Sequence, residues 1–420
     1  MSFASNYIER SVLFPSFINE APDCNTGIIT VIPSYGEDKI HRLLDSLASA
    51  SQPDCATEVI VVVNAPADAS AESLEINRIT LSDIESWKLQ NKNCWFRLFY
   101  LDIKPEAVSG WGVGLARKTG MDEAVRRFSM IDKQDGIILS LDADCMVRDN
   151  YFSAVYDEFR NRKERKACSI YFEHPLHGKE FPATIYKNIA MYELHLRYYL
   201  QALKYSGYPW VFHTVGSAMA VKAQEYISAG GMNRRQAGED FYLIQKLIPG
   251  GGYFSINSTA VYPSPRPSFR VPFGTGAAIE KLSGENGTSL LTYSMSACEE
   301  LRILFSGVDL LFRCNEYQLI EIFHDLPEGV KQFIGEKEWV NKISEISNNT
   351  SGIQSFRKRF FSWFNMFMIV RYLNTVHQNL FARVPINEAA ADLLKRNGVK
   401  FSSVDTIDLL ILYRKMERDT

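Results

Sequence analysis

The apolar positions of this chain follow two rhythms. Over the first 160 residues, short unbroken apolar runs alternate with stretches in which apolar residues recur every three or four positions. The runs are GIITVIPS (27–34), EVIVVVNAP (58–66), FRLFYLDI (96–103) and GIILSLDADC (136–145). Runs of this kind suit strands covered on both faces, as in a parallel sheet. Between them, Ile40, Leu43, Leu44 and Leu47 recur at helical spacing, and residues 68–90 and 113–128 also read as helices. Another helix is expected from Asn150 onward. Strand alternating with helix predicts a doubly wound α/β sheet.

Further on the order is more mixed. Residues 168–175, 213–221 and 252–264 read as strands, 183–205 as a long aromatic-rich helix, and EDFYLIQKL (239–247) as a helix. A loop dense in Pro, Arg and Gly (263–276) marks a boundary, after which the pattern is helical with polar breaks such as SNNTSG (347–352). The expected organisation is an irregular arm over 1–26, an α/β domain over 27–276 and a helical region over 277–420. The apolar stretch FFSWFNMFMIV (360–370) is too short to span a bilayer. It is preceded by Arg357-Lys358-Arg359, so a contact with an anionic membrane face competes with a buried helix, and the reading favours the buried helix.

Composition narrows this only a little. Apolar residues make up 46% and charged residues 23%, and the net charge of −3 carries no basic excess that would draw the chain to nucleic acid. The seven cysteines are scattered, with no Cys-x-x-Cys pair, which suits reduced thiols in a cytoplasmic protein rather than a disulfide framework or zinc site. The first residues lack a basic start followed by a long apolar stretch, so no signal peptide is expected.

The chemistry concentrates where apolar runs end. Asp142 and Asp144 close the fourth run one residue apart. If strand geometry persisted they would face one way and Ala143 the other. Ligands of open α/β sheets sit outside the carboxyl ends of the strands, and two carboxylates there make a hard oxygen site for Mg²⁺ or Mn²⁺ and, through it, a diphosphate. The alternative is a solvated turn. Tyr35, Glu37 and Asp38 follow the first run, whose exit Pro33 fixes, and Asn64 follows the second. Tyr35 would lie against a flat base and Glu37 or Asp38 would accept hydrogen bonds, with helix capping as the competing role for the acids. Arg117 and Lys118 sit in the first turns of a helix preceded by glycines, a combination suited to phosphate oxygens. In AGGMNRRQAGEDF (229–241), glycines and Arg234-Arg235 precede Glu239-Asp240 at a helix start, where a carboxylate can act as general base. His213 is a further candidate for donor sugar or acceptor. Arg266 and Arg270 read as a clamp over a diphosphate, with Gly274 and Gly276 as hinges.

The series IPSYGED, VVVN, GLARKTGMD, LDADC and GGMNRRQAGEDF resembles a glycosyltransferase of the GT-A fold, nearest to the large family two, over roughly residues 27–270. The resemblance implies a Rossmann-like, mostly parallel mixed sheet flanked by helices, with the helical C-terminal region appended. It implies nucleotide-sugar binding by Pro33, Tyr35, Glu37 and Asn64, with Arg117, Lys118, Asp142 and Arg266 in support. It implies a Mn²⁺ or Mg²⁺ cofactor at Asp144 and Asp142, with Asp144 the direct ligand, and Asp240 as the base that activates the acceptor, with Glu239 beside it in the catalytic set. The implied activity is hexosyl transfer, with inversion, from a nucleotide-diphosphate sugar to the hydroxyl of a glycan or small acceptor. The setting it implies is bacterial polysaccharide or surface-glycan assembly, in the cytoplasm or peripherally at the membrane face, as a monomer or a homodimer. A retaining GT-A transferase and a non-catalytic nucleotide-sugar-binding protein are the alternatives. The pattern departs from the family at Asn64, where an Asp is common, and in lacking a histidine ligand soon after Asp240. The Gln-x-x-Arg-Trp motif of processive synthases is also absent.

Overall fold

The computed structural model describes residues 2–103, 112–234, 238–267, 274–284 and 290–419. Arg235 and Arg270, named above, lie outside them. The chain divides into two compact units. The first comprises Met1–Tyr186, Phe212–Glu280 and Glu417–Thr420, and the second Lys187–Val211 and Lys281–Met416. The second unit therefore takes a segment from the middle of the chain, which the boundaries expected at 26 and 276 do not anticipate.

The first unit is built on an eight-stranded mixed sheet. In chain order the elements up to the end of the sheet are α1 (Ser5–Ser11), β1 (Thr26–Ser34), α2 (Ile40–Ser49), β2 (Ala56–Val63), α3 (Ala71–Gln90), β3 (Arg97–Asp102), α4 (Val113–Met130), β4 (Ile137–Ser140), β5 (Met146–Val147), α5 (Tyr151–Asn161), β6 (Ala167–Phe172), α6 (Ala183–Tyr205), β7 (Met219–Lys222), α7 (Ala223–Ser228), α8 (Glu239–Leu247) and β8 (Tyr253–Tyr262), of which α6 belongs to the second unit from Lys187 onward. The strands lie in the order β3-β2-β1-β4-β7-β6-β8-β5. The first four are mutually parallel, β7 runs antiparallel between β4 and β6, and β6 pairs β8 in parallel. A mostly parallel mixed sheet flanked by helices is the architecture expected.

Three of the four apolar runs became central strands, β1, β2 and β4, because both of their faces are covered, whereas β3 is an edge strand with two of its six residues buried. Every residue of β1 is buried, as are seven of the eight in β2. The amphipathic spacing of α2 places Ile40, Leu43, Leu44 and Leu47 in the core. Pro33 does not end β1: the strand continues to Ser34, and Pro33 stands opposite Val62 of β2. Pairing with β4 stops at Val31, two residues earlier, so the missing N–H costs β1 no rung on that side. Sheet order reverses between β1 and β4, which makes the crevice outside their carboxyl ends the switch point of the fold.

Three local expectations are corrected. The arm is not wholly irregular, since it contains α1. The strand expected over 213–221 is only Met219–Lys222, because residues 213–217 are drawn out of the sheet by contacts described below. Gly276 lies within a helix, Thr275–Gly284, rather than in a hinge; Gly274, at φ 98°, keeps the loop conformation.

The second unit is helical apart from one two-stranded pair joining Leu291–Thr292 to Val384–Pro385. Its core is aromatic, with Trp339, Phe356, Phe360, Phe364 and Tyr372 all buried. The stretch 360–370 is not one buried helix. It is a corner between Ile353–Trp363 and Met366–Asn379, because the Asn365 side chain accepts from the N–H groups of Phe367 and Met368 and caps a new helix. Phe360, Phe361, Phe364, Met366 and Ile369 from both arms of the corner are buried. Among the described residues no helix is long and apolar enough to cross a membrane.

Candidate active site

Because β1, β2 and β4 are parallel, the segments after them leave the sheet at one edge. The loop after β1 carries Tyr35, Gly36, Glu37 and Asp38. Tyr35 is half-buried, Glu37 is buried and Asp38 is exposed. Two residues of α3 hold this loop. The Asn77 side chain accepts from the Gly36 N–H at 2.8 Å and donates to the Asn64 carbonyl at 2.8 Å, tying the ends of β1 and β2 together. One helical turn on, the Thr80 hydroxyl donates to the Glu37 carbonyl at 2.5 Å. Asn64 is itself buried and its N–H bonds the Ser34 carbonyl at 3.1 Å. Its backbone thus joins the loop scaffold. Asn77 is not among the residues the sequence pattern singles out, because its burial beside Thr80 is visible only in the folded chain.

After β4 the strand conformation stops at Ser140. Residues 141–145 form a turn in which the Cys145 N–H bonds the Asp142 carbonyl at 3.1 Å. The strand-pleat argument for Asp142 and Asp144 therefore fails, but the turn gives the same alternation: Ala143 is buried, while the side chains of Asp142 and Asp144 are 42% and 31% exposed.

Two arginines organise the acids of this edge. Arg117, near the start of α4, is buried at 3% exposure. Its guanidinium donates to Asp142 at 2.6 Å and to Glu239, the first residue of α8. Its Nε–H is buried without an acceptor among the described residues. Asp240 lies in the same field. Its Oδ2 accepts from the Gly216 N–H at 2.7 Å, and its Oδ1 accepts from the Phe241 N–H at 2.7 Å. This is why residues 213–217 leave the sheet. A Cβ on Gly216 would stand 2.9 Å from both the Arg117 guanidinium and the Asp240 carboxylate, so only glycine brings that N–H so close.

The second arginine, Arg266, follows β8. It donates to Glu37 at 2.5 Å and lies 3.6 Å from Asp144, with its side chain 26% exposed. It thereby links the loop after β1 to the turn after β4, across the switch point.

Burial governs the protonation of the acids. It pushes Glu239 upward, against the pull of Arg117, with Asp240 adding to the rise. It pushes Asp240 above the ordinary aspartate value of 3.8, opposed by Arg117 and by the N–H groups of Phe241 and Gly216. Arg117 rises in spite of its burial, because Glu239, Asp142 and Asp240 surround it.

Several sequence candidates are spent elsewhere. Lys118 does not reach the edge: it is buried and pairs with Asp122 at 2.9 Å, one helical step away from Arg117. Arg117 spends its two terminal nitrogens on Asp142 and Glu239. His213 gives its ring to Glu417, with Nε2 3.2 Å from both carboxylate oxygens. Arg234 is exposed.

The donors present suit a hard divalent cation of the Mg²⁺ or Mn²⁺ kind. Asp144 offers a part-exposed carboxylate, with Asp142 beside it. The described residues contain no group of three or more His, Cys, Asp or Glu placed to hold a metal.

No protein-family model and no curated protein matches the chain. Solved structures do. S. aureus TarS residues 1–349 in complex with UDP-GlcNAc is 14% identical, with 85% of this chain and 93% of that one covered and a TM-score of 0.41. The mannosyltransferase PcManGT from Pyrobaculum calidifontis, in complex with GDP-Man and Mn²⁺, is 12% identical over 99% and 94% of the two chains, with a TM-score of 0.37. Glucosyl-3-phosphoglycerate synthase from Mycobacterium tuberculosis, with Mn²⁺, UDP and glucosyl-3-phosphoglycerate, is 16% identical over 64% and 84%, at 0.34. Likeness at this level decides neither activity nor substrate.

Proposed function

We propose that the chain is a glycosyltransferase that moves a sugar from a nucleotide-diphosphate sugar to an acceptor hydroxyl, with inversion. One observation carries the reading. Asp240, with its protonation held up by burial, shares Arg117 with Asp142, and Asp142 opens the turn that presents Asp144 at the switch-point edge. A base and an anion-facing hard-oxygen site are thus joined through one side chain.

In this reading the crevice outside β1 and β4 takes the nucleotide. Tyr35, half-buried, offers a flat face to a base, and Asn77 keeps the loop around it in place. Asp144, with Asp142, would hold Mn²⁺ or Mg²⁺, which when bound supplies positive charge to the leaving diphosphate. Arg266, part-exposed, exchanges Asp144 for phosphate oxygens. Asp240 takes the proton of the acceptor hydroxyl, which attacks the anomeric carbon opposite the diphosphate. Each of its oxygens accepts one N–H, which leaves further lone pairs for the incoming proton. A protonation midpoint raised by burial makes it a stronger base near neutrality than an exposed aspartate. We place the enzyme in the bacterial cytoplasm, in polysaccharide or surface-glycan assembly, a setting supported by its scattered cysteines.

The test is consumption of UDP-, GDP- and dTDP-sugars with and without Mn²⁺ against a panel of hydroxyl acceptors, followed by NMR of the product anomer. Metal-stimulated release of nucleoside diphosphate with an inverted product is expected. No donor bound or consumed under any condition would overturn the reading.

A further inference from the structure

A second polar cluster lies on α4 beside Arg117 and belongs to none of the roles above. Asp122 is 2% exposed and accepts three groups: the Tyr7 hydroxyl at 2.8 Å, the Tyr226 hydroxyl at 3.0 Å and Lys118 Nζ at 2.9 Å. Lys118 also donates to the Tyr7 oxygen at 3.2 Å. Three segments meet here. Tyr7 comes from the N-terminal helix α1, Lys118 and Asp122 from α4, and Tyr226 from α7.

The location matters more than the satisfaction of the polar groups. Lys118 follows Arg117 directly, and Asp122 is five residues further on, about 7.5 Å along the helix axis. The cluster therefore sets the roll and height of the helix that presents Arg117. On the other side, Tyr226 lies five residues before Gly231, whose N–H bonds the Tyr226 carbonyl at 2.9 Å. Gly231 sits at φ 71°, and a Cβ there would stand 1.9 Å from the Tyr7 hydroxyl. One hydroxyl thus meets both the helix that carries Arg117 and the glycine turn that follows α7.

The chemistry of Tyr7 supports a role beyond anchorage. Helix α1 has seven residues and buries Tyr7 alone among them. A helix so short depends on its tertiary contacts. Phenylalanine would anchor it through apolar area alone, yet the buried group presented here is a phenol, aimed at a carboxylate.

We propose that Tyr7 is a positioning residue for Glu239 and Asp240, acting through Asp122 and the helix that presents Arg117, so that the N-terminal segment is part of the catalytic unit. This inference rests on the glycosyltransferase reading given above, but one arm of its test does not.

The test compares Tyr7→Phe with Ser16→Ala, which removes a different contact of the same arm with α4, the 3.2 Å bond to Glu123. Each is assayed well below its own unfolding temperature. In Tyr7→Phe, kcat is expected to fall roughly 10- to 100-fold, the effect of a small displacement of reacting groups. The KM for donor should stay within about twofold. In Ser16→Ala both should stay near wild type. Independently of activity, hydrogen–deuterium exchange over residues 213–218 and 238–247 should quicken in Tyr7→Phe and not in Ser16→Ala. Should Tyr7→Phe fail to fold, Tyr226→Phe removes the other hydroxyl from the same carboxylate and takes its place. Unchanged exchange in those two segments, or a kcat loss that merely tracks the unfolded fraction, would overturn the role of Tyr7. A wild-type chain that consumes no sugar nucleotide would instead sink the glycosyltransferase reading, and the exchange data would still decide the positioning role.

Discussion

Arg117 and Arg266 each bind two carboxylates at the same edge of the sheet, and they differ in almost everything else. Arg117 is 3% exposed and its partners include Glu239, which is equally buried. Arg266 is 26% exposed and its looser partner, Asp144, is 31% exposed. Removing a buried charge from its partners leaves an uncompensated ion, whereas a part-exposed pair trades its partners against water cheaply. The first arginine is therefore a permanent brace between α4, α8 and the turn after β4. In the proposed reading the second is a clasp that keeps its bond to Glu37 and releases the more exposed Asp144 when an anionic ligand arrives. Opposite charges at a sheet edge do not by themselves say which of these they are; burial does.

The comparison can be broken at several points. The largest effect is expected on the brace side, at Asp240. Asp240→Asn should lower turnover by on the order of 10²–10⁴-fold while donor affinity stays near wild type, by steady-state kinetics and calorimetry. Comparable turnover in the two proteins would remove Asp240 as base. Next, Arg117→Met should cost about 3–5 kcal/mol of stability in urea unfolding, because Glu239 is left buried and unpaired. A cost below about 1 kcal/mol would mean that the brace holds nothing.

On the clasp side, Asp144→Ala should abolish the Mn²⁺-dependent part of nucleoside-diphosphate binding in calorimetry and leave the unfolding midpoint almost unmoved. Arg266→Ala should weaken diphosphate binding and reduce its salt dependence, with a stability cost smaller than that of Arg117→Met and set by the loss of the bond to buried Glu37.

The smallest effect concerns pH. Burial raises the protonation midpoints of Glu239 and Asp240 in the folded chain above their ordinary 4.5 and 3.8. The folded state then holds protons that the unfolded state has released, so this contribution to stability is present below the ordinary values and lost as pH rises through the raised ones. Stability of Asp240→Asn should accordingly fall less steeply than that of wild type between about pH 4 and pH 7. The acid limb of the wild-type kcat profile should lie above 3.8, the ordinary aspartate value.

The Glu180 carboxylate adds a contrast of the clasp kind. It accepts from Lys39 at 2.9 Å and Arg42 at 2.7 Å, with all three side chains 36% exposed or more. β6 runs parallel to β1, so the segment that carries Glu180 leaves from the same carboxyl edge and reaches the start of α2.

Much of this was legible along the chain because it follows from local pattern. Unbroken β-branched runs declare central strands, three-and-four spacing declares helices, and Glu239–Leu247 and Ala183–Tyr205 fall where the spacing put them. Acids at the ends of parallel strands must share an edge, so Asp142, Asp144 and Glu37 could be brought together on paper. The rest depends on partners distant in sequence. Arg117 and Lys118 are neighbours with the same charge, and nothing local shows that one turns toward Glu239 and the other toward Asp122. Gly216 acts through a hydrogen bond to a residue 24 positions away, and Asn77 through two, to residues 41 and 13 positions away. The corner at Asn365 splits an apolar stretch that hydropathy reads as continuous. The sequence alone determined which segments are strands and helices and which residue types crowd one edge, because backbone periodicity and strand direction are local or topological properties. Tertiary structure alone decided which charges are braced and which are exchangeable, because burial and ion pairing are set by what packs on the other side.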